Sequence, residues 1–111
     1  MTKTKLSMFD RWRIWDRANP AFYEAWKMYA DEAVAHGKTR LGSWLVANRI
    51  RWDLDVLTTG AGYKVPSGYI AYFARLWLVE HPHLPPLFAT KTMKTAINKA
   101  DFEQHLLDRN G

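Results

Sequence analysis

Residues 40–57 read RLGSWLVANRIRWDLDVL, and the spacing of their apolar side chains decides the predicted fold. At about 100° per residue, one helical stripe collects Leu41, Leu45, Trp52 and Val56. A second stripe, on roughly the opposite side, collects Val46, Ala47, Ile50, Leu54 and Leu57. Because a helix that is apolar on two sides has to be covered on both, the pattern predicts that this helix is the central one of a small domain.

Helical signals on either side of this segment predict an all-α protein, a compact bundle of four to five helices. Ser7 and Asp10 resemble a capping box at the start of the first helix. Asn19 followed by Pro20 starts a second helix, and Gly37 ends it. The third and fourth helices form a helix-loop-helix arrangement around a glycine-containing loop. The predicted helices span about 8–17, 20–36, 40–57, 68–80 and 98–108.

The length and composition indicate a single globular domain over residues 1–111. Hydrophobic residues make up 48% of the chain and aromatic residues 14%, which suffices for a real core. Few large apolar residues that could anchor the chain occur near its two ends. Residues 1–6 and about 89–111 are therefore predicted to be mobile or loosely packed. The chain has no Cys, and no apolar run reaches membrane-spanning length. We therefore expect a soluble intracellular protein that does not enter a membrane.

The charge balance favours a polyanionic partner. The chain carries 16 Lys and Arg against 11 Asp and Glu, a formal net charge of +5, so DNA or RNA is the first partner to consider. Tyr63 or Tyr69 could stack on a base, giving mainly sequence-tolerant and salt-sensitive binding. Alternatively, the charge only keeps the protein in solution. The residues predicted to contact phosphates are Arg11, Arg13, Arg17, Lys38, Arg40 and Lys64.

The segment 69–79 suggests a different kind of partner. Its sequence, YIAYFARLWLV, leaves almost no polar face, and Arg75 is its one charged residue. Such a helix is either fully enclosed or exposes an apolar patch that needs covering. The second possibility predicts a protein partner or a homodimer through this helix, because Trp and Tyr are common at interfaces.

Short acidic and histidine motifs give little support for an enzyme. Asp53 and Asp55 form a D-x-D motif, but residues two apart on a helix point apart and cannot easily share a metal ion. His81 and His83 are too few for a structural zinc site, which needs four ligands. No P-loop and no G-x-G-x-x-G motif is present. The sequence therefore predicts no catalytic residues, no bound metal and no cofactor.

The order of several short motifs resembles a group of small, largely uncharacterised proteins of tailed bacteriophages and prophages. The resemblance covers about residues 9–88 and implies a protein of the bacterial cytoplasm, encoded by the host or a phage, without supplying catalytic residues. The motifs, in order, are NP at 19–20, HGK at 36–38, RIRW at 49–52, YK at 63–64, YFAR at 72–75, HP at 81–82 and Phe88.

Two functions remain open at this point. The first is a small non-enzymatic phage or prophage accessory protein that binds nucleic acid through basic side chains. The second is a protein-binding inhibitor or adaptor module that acts on a host or phage protein. The basic first helix and the helix-loop-helix arrangement favour the former, and the apolar segment 69–79 favours the latter.

Overall fold

Five α-helices make up the fold in the computed structural model, which describes residues 6–56, 65–90 and 97–110. No strand occurs within these ranges, so the predicted all-α helical bundle is confirmed. Within the same ranges, no helix is long and apolar enough to cross a membrane. The helices are α1 (Met8–Ala18), α2 (Pro20–Ala35), α3 (Ser43–Val56), α4 (Ser67–Glu80) and α5 (Lys99–Asn110).

Local hydrogen bonds explain where the first two helices begin and end. The Ser7 hydroxyl accepts the Asp10 backbone N–H at 3.0 Å, which is the serine half of the predicted capping box, and it donates to the Asp10 carboxylate. Pro20 occupies the first turn of α2, as expected. Asn19 acts differently, because its side-chain amide donates to the Trp15 carbonyl at 2.9 Å and so closes α1. Gly37 has φ 84°, the left-handed conformation expected after a helix.

The helix α3 begins at Ser43, three residues later than predicted. The reason is a long-range hydrogen bond, in which the Leu41 N–H donates to the Leu87 carbonyl at 2.8 Å. This bond holds the end of the α2–α3 connection against the proline-rich turn that follows α4. Leu87 and Phe88 are each 1% exposed, so this turn packs its apolar side chains into the core.

The centre of the bundle is α4, which contacts each of the other four helices. Its middle residue Phe73 is completely buried. The ring of Phe73 has aromatic neighbours from α1 and α2 at centroid distances between 4.8 and 6.0 Å, namely Trp12, Trp15, Phe22, Tyr23 and Trp26. Most of the nearly all-apolar segment 69–79 is therefore enclosed by the other helices, although Ala71 is exposed and Arg75 is partly exposed. A partner or a homodimer through this helix stays a prediction.

The prediction that the helix of 40–57 is packed on two sides was wrong. Val46, Ala47 and Ile50 are buried against the bundle, whereas Leu45 and Trp52 are 65% and 63% exposed. Periodicity shows which side chains share a face of a helix, but it does not show whether another element covers that face. The central position belongs to α4, and α3 packs on α2 and α4 through one face.

The helix α5 is packed rather than loose. It lies against α4, with Phe102 3% exposed and His105 completely buried. Asn98 and Asp101 exchange reciprocal hydrogen bonds at its start, at 2.9 and 3.1 Å. The predicted loose packing of 89–111 is thus corrected for residues 99–110. Residues 1–5, 91–96 and 111 lie outside the described ranges.

Candidate nucleic-acid interface

An exposed aromatic face runs along α3. Positions 44, 48 and 52 follow one another at four-residue spacing, so their side chains share a face of the helix. Trp44 and Trp52 are 51% and 63% exposed, and Leu45 beside them is 65% exposed. The two indoles lie two turns apart, a rise of about 12 Å along the helix axis. We call this surface the α3 outer face, formed by Trp44, Leu45, Asn48, Arg49 and Trp52.

One cation is held on the α3 outer face by its neighbours. The Arg49 Nε lies 3.4 Å from a carboxylate oxygen of Asp53, one helical turn further along α3. Its guanidinium lies 5.6 Å from the centroid of the Tyr29 ring, and the Tyr29 hydroxyl donates to Asp53. The Arg49 side chain is nevertheless 64% exposed. It is therefore positioned by two contacts while remaining open to an anion from solvent.

Two further cations precede α3 in the connection from α2. The side chains of Lys38 and Arg40 are both exposed. Neither forms an ion pair within the ranges that the structure describes. Because the hydrogen bond from Leu41 to Leu87 fixes the end of this connection, Arg40 lies next to an anchored residue.

The basic residues of α1 divide into two kinds. Arg11 and Arg17 are exposed and form no ion pair within the described part of the chain. Arg13 lies 3.4 Å from Asp10 and 3.3 Å from Asp108, so its charge is already balanced and it joins α1 to α5. This pairing weakens the prediction that Arg13 contacts phosphate.

The predicted contact residues therefore lie in two separate places, on α1 and in the α2–α3 connection. Lys64 and Tyr63 fall outside the described residues. Tyr69 is partly buried, and its ring packs against Trp15 at a centroid distance of 5.9 Å. The exposure of Trp44 was not predicted from the sequence. The apolar stripes of residues 40–57 did place Leu45 and Trp52 on one side of the helix.

A buried charged cluster, which no local sequence pattern indicates, joins α1 to α5. Asp16 and His105 are both completely buried, with His105 Nε2 2.7 Å from the Asp16 carboxylate. The Arg109 Nε contacts the same oxygen at 2.5 Å. Asp16 and His105 are 89 positions apart in the chain, so no local spacing links them. Only the packing of α5 against α1 brings them together.

The electrostatics of this cluster favour a structural role. Burial lowers the pKa of Arg109, but the hydrogen bond and the charge of Asp16, with a contribution from Glu24, outweigh it and raise the pKa above its usual value. The guanidinium therefore stays charged opposite Asp16. Because Asp16 and His105 are fully buried, a substrate could reach them only if α5 moved away.

Two of the residues considered for metal binding, Asp53 and His81, are engaged in contacts within the bundle. Asp53 accepts a hydrogen bond from Tyr29 and forms an ion pair with Arg49, and the side chain of Asp55 lies outside the description. The His81 Nδ1 donates to the Trp77 carbonyl at 2.8 Å, and its ring stacks on the Trp77 indole at 3.9 Å. No group of three or more His, Asp or Glu suited to a metal ion occurs among the described residues.

Tyr23 should make the fold sensitive to alkaline pH. Burial, together with the hydrogen bond to Glu80, raises the pKa of the Tyr23 phenol above its ordinary value of 10.0. Unfolded tyrosine loses its proton near pH 10 while the folded phenol keeps it, so the free energy of unfolding falls as pH rises above about 10. The fall contributed by one such group approaches about 1.4 kcal/mol per pH unit.

We therefore expect Tyr23→Phe to make the loss of stability between pH 10 and 11 smaller by about 1 kcal/mol. Urea unfolding at both pH values measures it. Tyr69→Phe, at a partly exposed ring, is the matched control and should leave the loss unchanged. An equal loss in the wild type and Tyr23→Phe would contradict the expectation.

Compared with known proteins, the chain matches no family model, and no curated protein or solved structure is significantly similar to it. The likeness to small phage and prophage proteins stays a prediction.

Proposed function

We propose that the chain is a small non-enzymatic phage or prophage accessory protein that binds single-stranded DNA or RNA through the α3 outer face. The observation that carries the proposal is the exposure of Trp44 and Trp52 on one face of a helix together with Arg49. Proteins that bind single strands combine aromatic platforms for bases with cations along the backbone path.

The neighbouring cations supply the positive charge that such a binding site needs along the backbone path. Lys38 and Arg40 are exposed beside the start of α3 and have no carboxylate partner in the described part of the chain. Every base has a π-face, so stacking on an indole depends little on the nucleotide sequence. Contacts with phosphates add affinity that decreases as the salt concentration rises. The expected binding is therefore sequence-tolerant and strongly dependent on ionic strength.

The charged part of the proposal predicts a change in salt dependence. Binding of a labelled unstructured oligonucleotide is measured by fluorescence anisotropy at several salt concentrations, with the variant Lys38→Ala/Arg40→Ala. Loss of two phosphate contacts should reduce the slope of log affinity against log salt by about 1.4 for a single strand. The affinity at low salt should fall as well.

The matched control removes the same charge elsewhere. Lys27 and Lys99 pair with acids on α2 and α5, at 3.1 and 3.8 Å. The variant Lys27→Ala/Lys99→Ala should therefore keep the wild-type slope. An equal loss in both double variants would show that net charge alone drives binding, and no binding even at low salt would overturn the proposal.

A protein partner on the same surface is the second candidate, and Leu45 is the observation that favours it. An aliphatic side chain that is 65% exposed beside two Trp resembles the centre of a protein interface, where Trp and Arg carry much of the binding energy. This candidate would replace the first if the wild type bound no nucleic acid while Leu45→Asp changed the oligomeric state in sedimentation experiments.

A further inference from the structure

A groove lies where α3, α4 and the connection after α4 meet. Its volume is about 350 Å³, within the range of about 300–1,000 Å³ typical of pockets for small ligands. Trp44 lines it from α3, and Thr90 lines it from the connection. The α4 residues that line it and matter for its chemistry are Ser67, Ala71, Ala74 and Arg75.

The groove offers separate places for a flat apolar group and for an anion. Trp44 supplies a half-exposed aromatic surface, and the small side chains of Ala71 and Ala74 leave room opposite α3. The hydroxyls of Ser67 and Thr90 add hydrogen-bonding groups at the rim. A nucleotide combines a flat aromatic base with a phosphate, so it could fill both the apolar place and the anion place in the groove.

Arg75 is the cation of the groove. Its Nη1 donates to the Ala71 carbonyl at 3.2 Å, which lays the guanidinium along α4. Burial lowers the pKa of Arg75, because the charged form loses hydration in this position. A phosphate in the groove would replace part of that hydration with charge-assisted hydrogen bonds, which arginine forms well.

We propose that this groove holds one nucleotide of the bound strand, with its base against Trp44 and its phosphate on Arg75. The inference rests on the proposed function and deepens it, because it assigns different tasks to the two exposed indoles. Trp44 anchors a nucleotide in the groove, whereas Trp52, two turns further along α3, supports the strand outside it. A base has to leave a duplex stack to enter such a groove, so a single strand is its ligand.

A mononucleotide tests the groove separately from the rest of the strand. Thymidine monophosphate and inorganic phosphate are titrated into the intact protein, and a labelled oligothymidylate serves as the strand. Trp44→Ala and Arg75→Gln should each weaken binding of thymidine monophosphate about tenfold or more, and Trp44→Phe should restore most of it, since base–aromatic stacking accounts for a loss of this size. Inorganic phosphate should bind more weakly than the nucleotide.

The matched control is Trp52→Ala on the same helix. It should weaken binding of the oligonucleotide yet leave the affinity for thymidine monophosphate within about twofold, because an indole outside the groove stacks only on strand bases. If the strand binds but Trp44→Ala and Trp52→Ala affect the mononucleotide equally, the groove assignment is overturned and the proposed function stands. If the wild type binds no strand at low salt, both proposals fall.

Discussion

Replacing Phe73 with alanine should lower the free energy of unfolding by about 3–5 kcal/mol, the usual cost of deleting a fully buried aromatic side chain. Phe73 is completely buried in the middle of α4, and its ring lies 4.8 Å from that of Phe22. Truncation leaves a cavity bordered by rings from α1 and α2. Rigid indoles and phenyl rings cannot easily collapse into it, so the loss should fall within that range.

Urea unfolding followed by circular dichroism measures this effect. The matched control is Leu45→Ala on α3, because the Leu45 side chain is 65% exposed. Its truncation should change stability by no more than about 0.5 kcal/mol. A loss below about 1 kcal/mol for Phe73→Ala, or a comparable loss for Leu45→Ala, would show that α4 is not the centre of the core.

Replacing Asp16 with alanine should cost about 3–5 kcal/mol, because it removes the buried carboxylate that a nearly buried guanidinium and a buried imidazole both contact. The Asp16 carboxylate contacts both His105 and Arg109, and all three side chains are less than a tenth exposed. Arginine stays charged at neutral pH, so the Arg109 guanidinium cannot escape the penalty by losing its proton when Asp16 is removed. The contact between α1 and α5 should weaken first.

Asp108→Ala is the matched control for this prediction. Asp108 also joins α1 to α5, through Arg13 at 3.3 Å, but both of these side chains are about one-third exposed. Exposed ion pairs contribute about 0–1 kcal/mol, so this variant should stay near the wild type. Equal stability losses for the two variants would mean that Asp16 behaves as a surface charge.

Much of the fold could be predicted from sequence, because helix signals are local. Ser7, Pro20 and Gly37 mark boundaries through their own backbone and side-chain chemistry, and the structure places a boundary at each. The relative positions of the helices could not be predicted in the same way. The stripe of Leu45 and Trp52 is apolar, but α3 is covered on its other face and α4 takes the centre.

The candidate site shows the same division between local and long-range information. The pair of Arg49 and Asp53 depends on a four-residue spacing within one helix, which is visible in the sequence. The groove beside Trp44 depends on where α4 and the following connection meet α3, and the contact of Asp16 with His105 depends on α5. These contacts between distant segments arise from tertiary packing, which the periodicity of the sequence does not predict.

The most direct test of the proposed α3 outer face is a titration of ¹⁵N-labelled protein with oligothymidylate at low salt, followed through the six tryptophan indole N–H signals. Trp44 and Trp52 are exposed, whereas Trp12, Trp26 and Trp77 are completely buried. Binding through α3 predicts that the two exposed indoles shift strongly and that the three buried ones stay nearly unchanged. Absence of any shift, or changes confined to backbone signals of α1, would contradict the proposed interface.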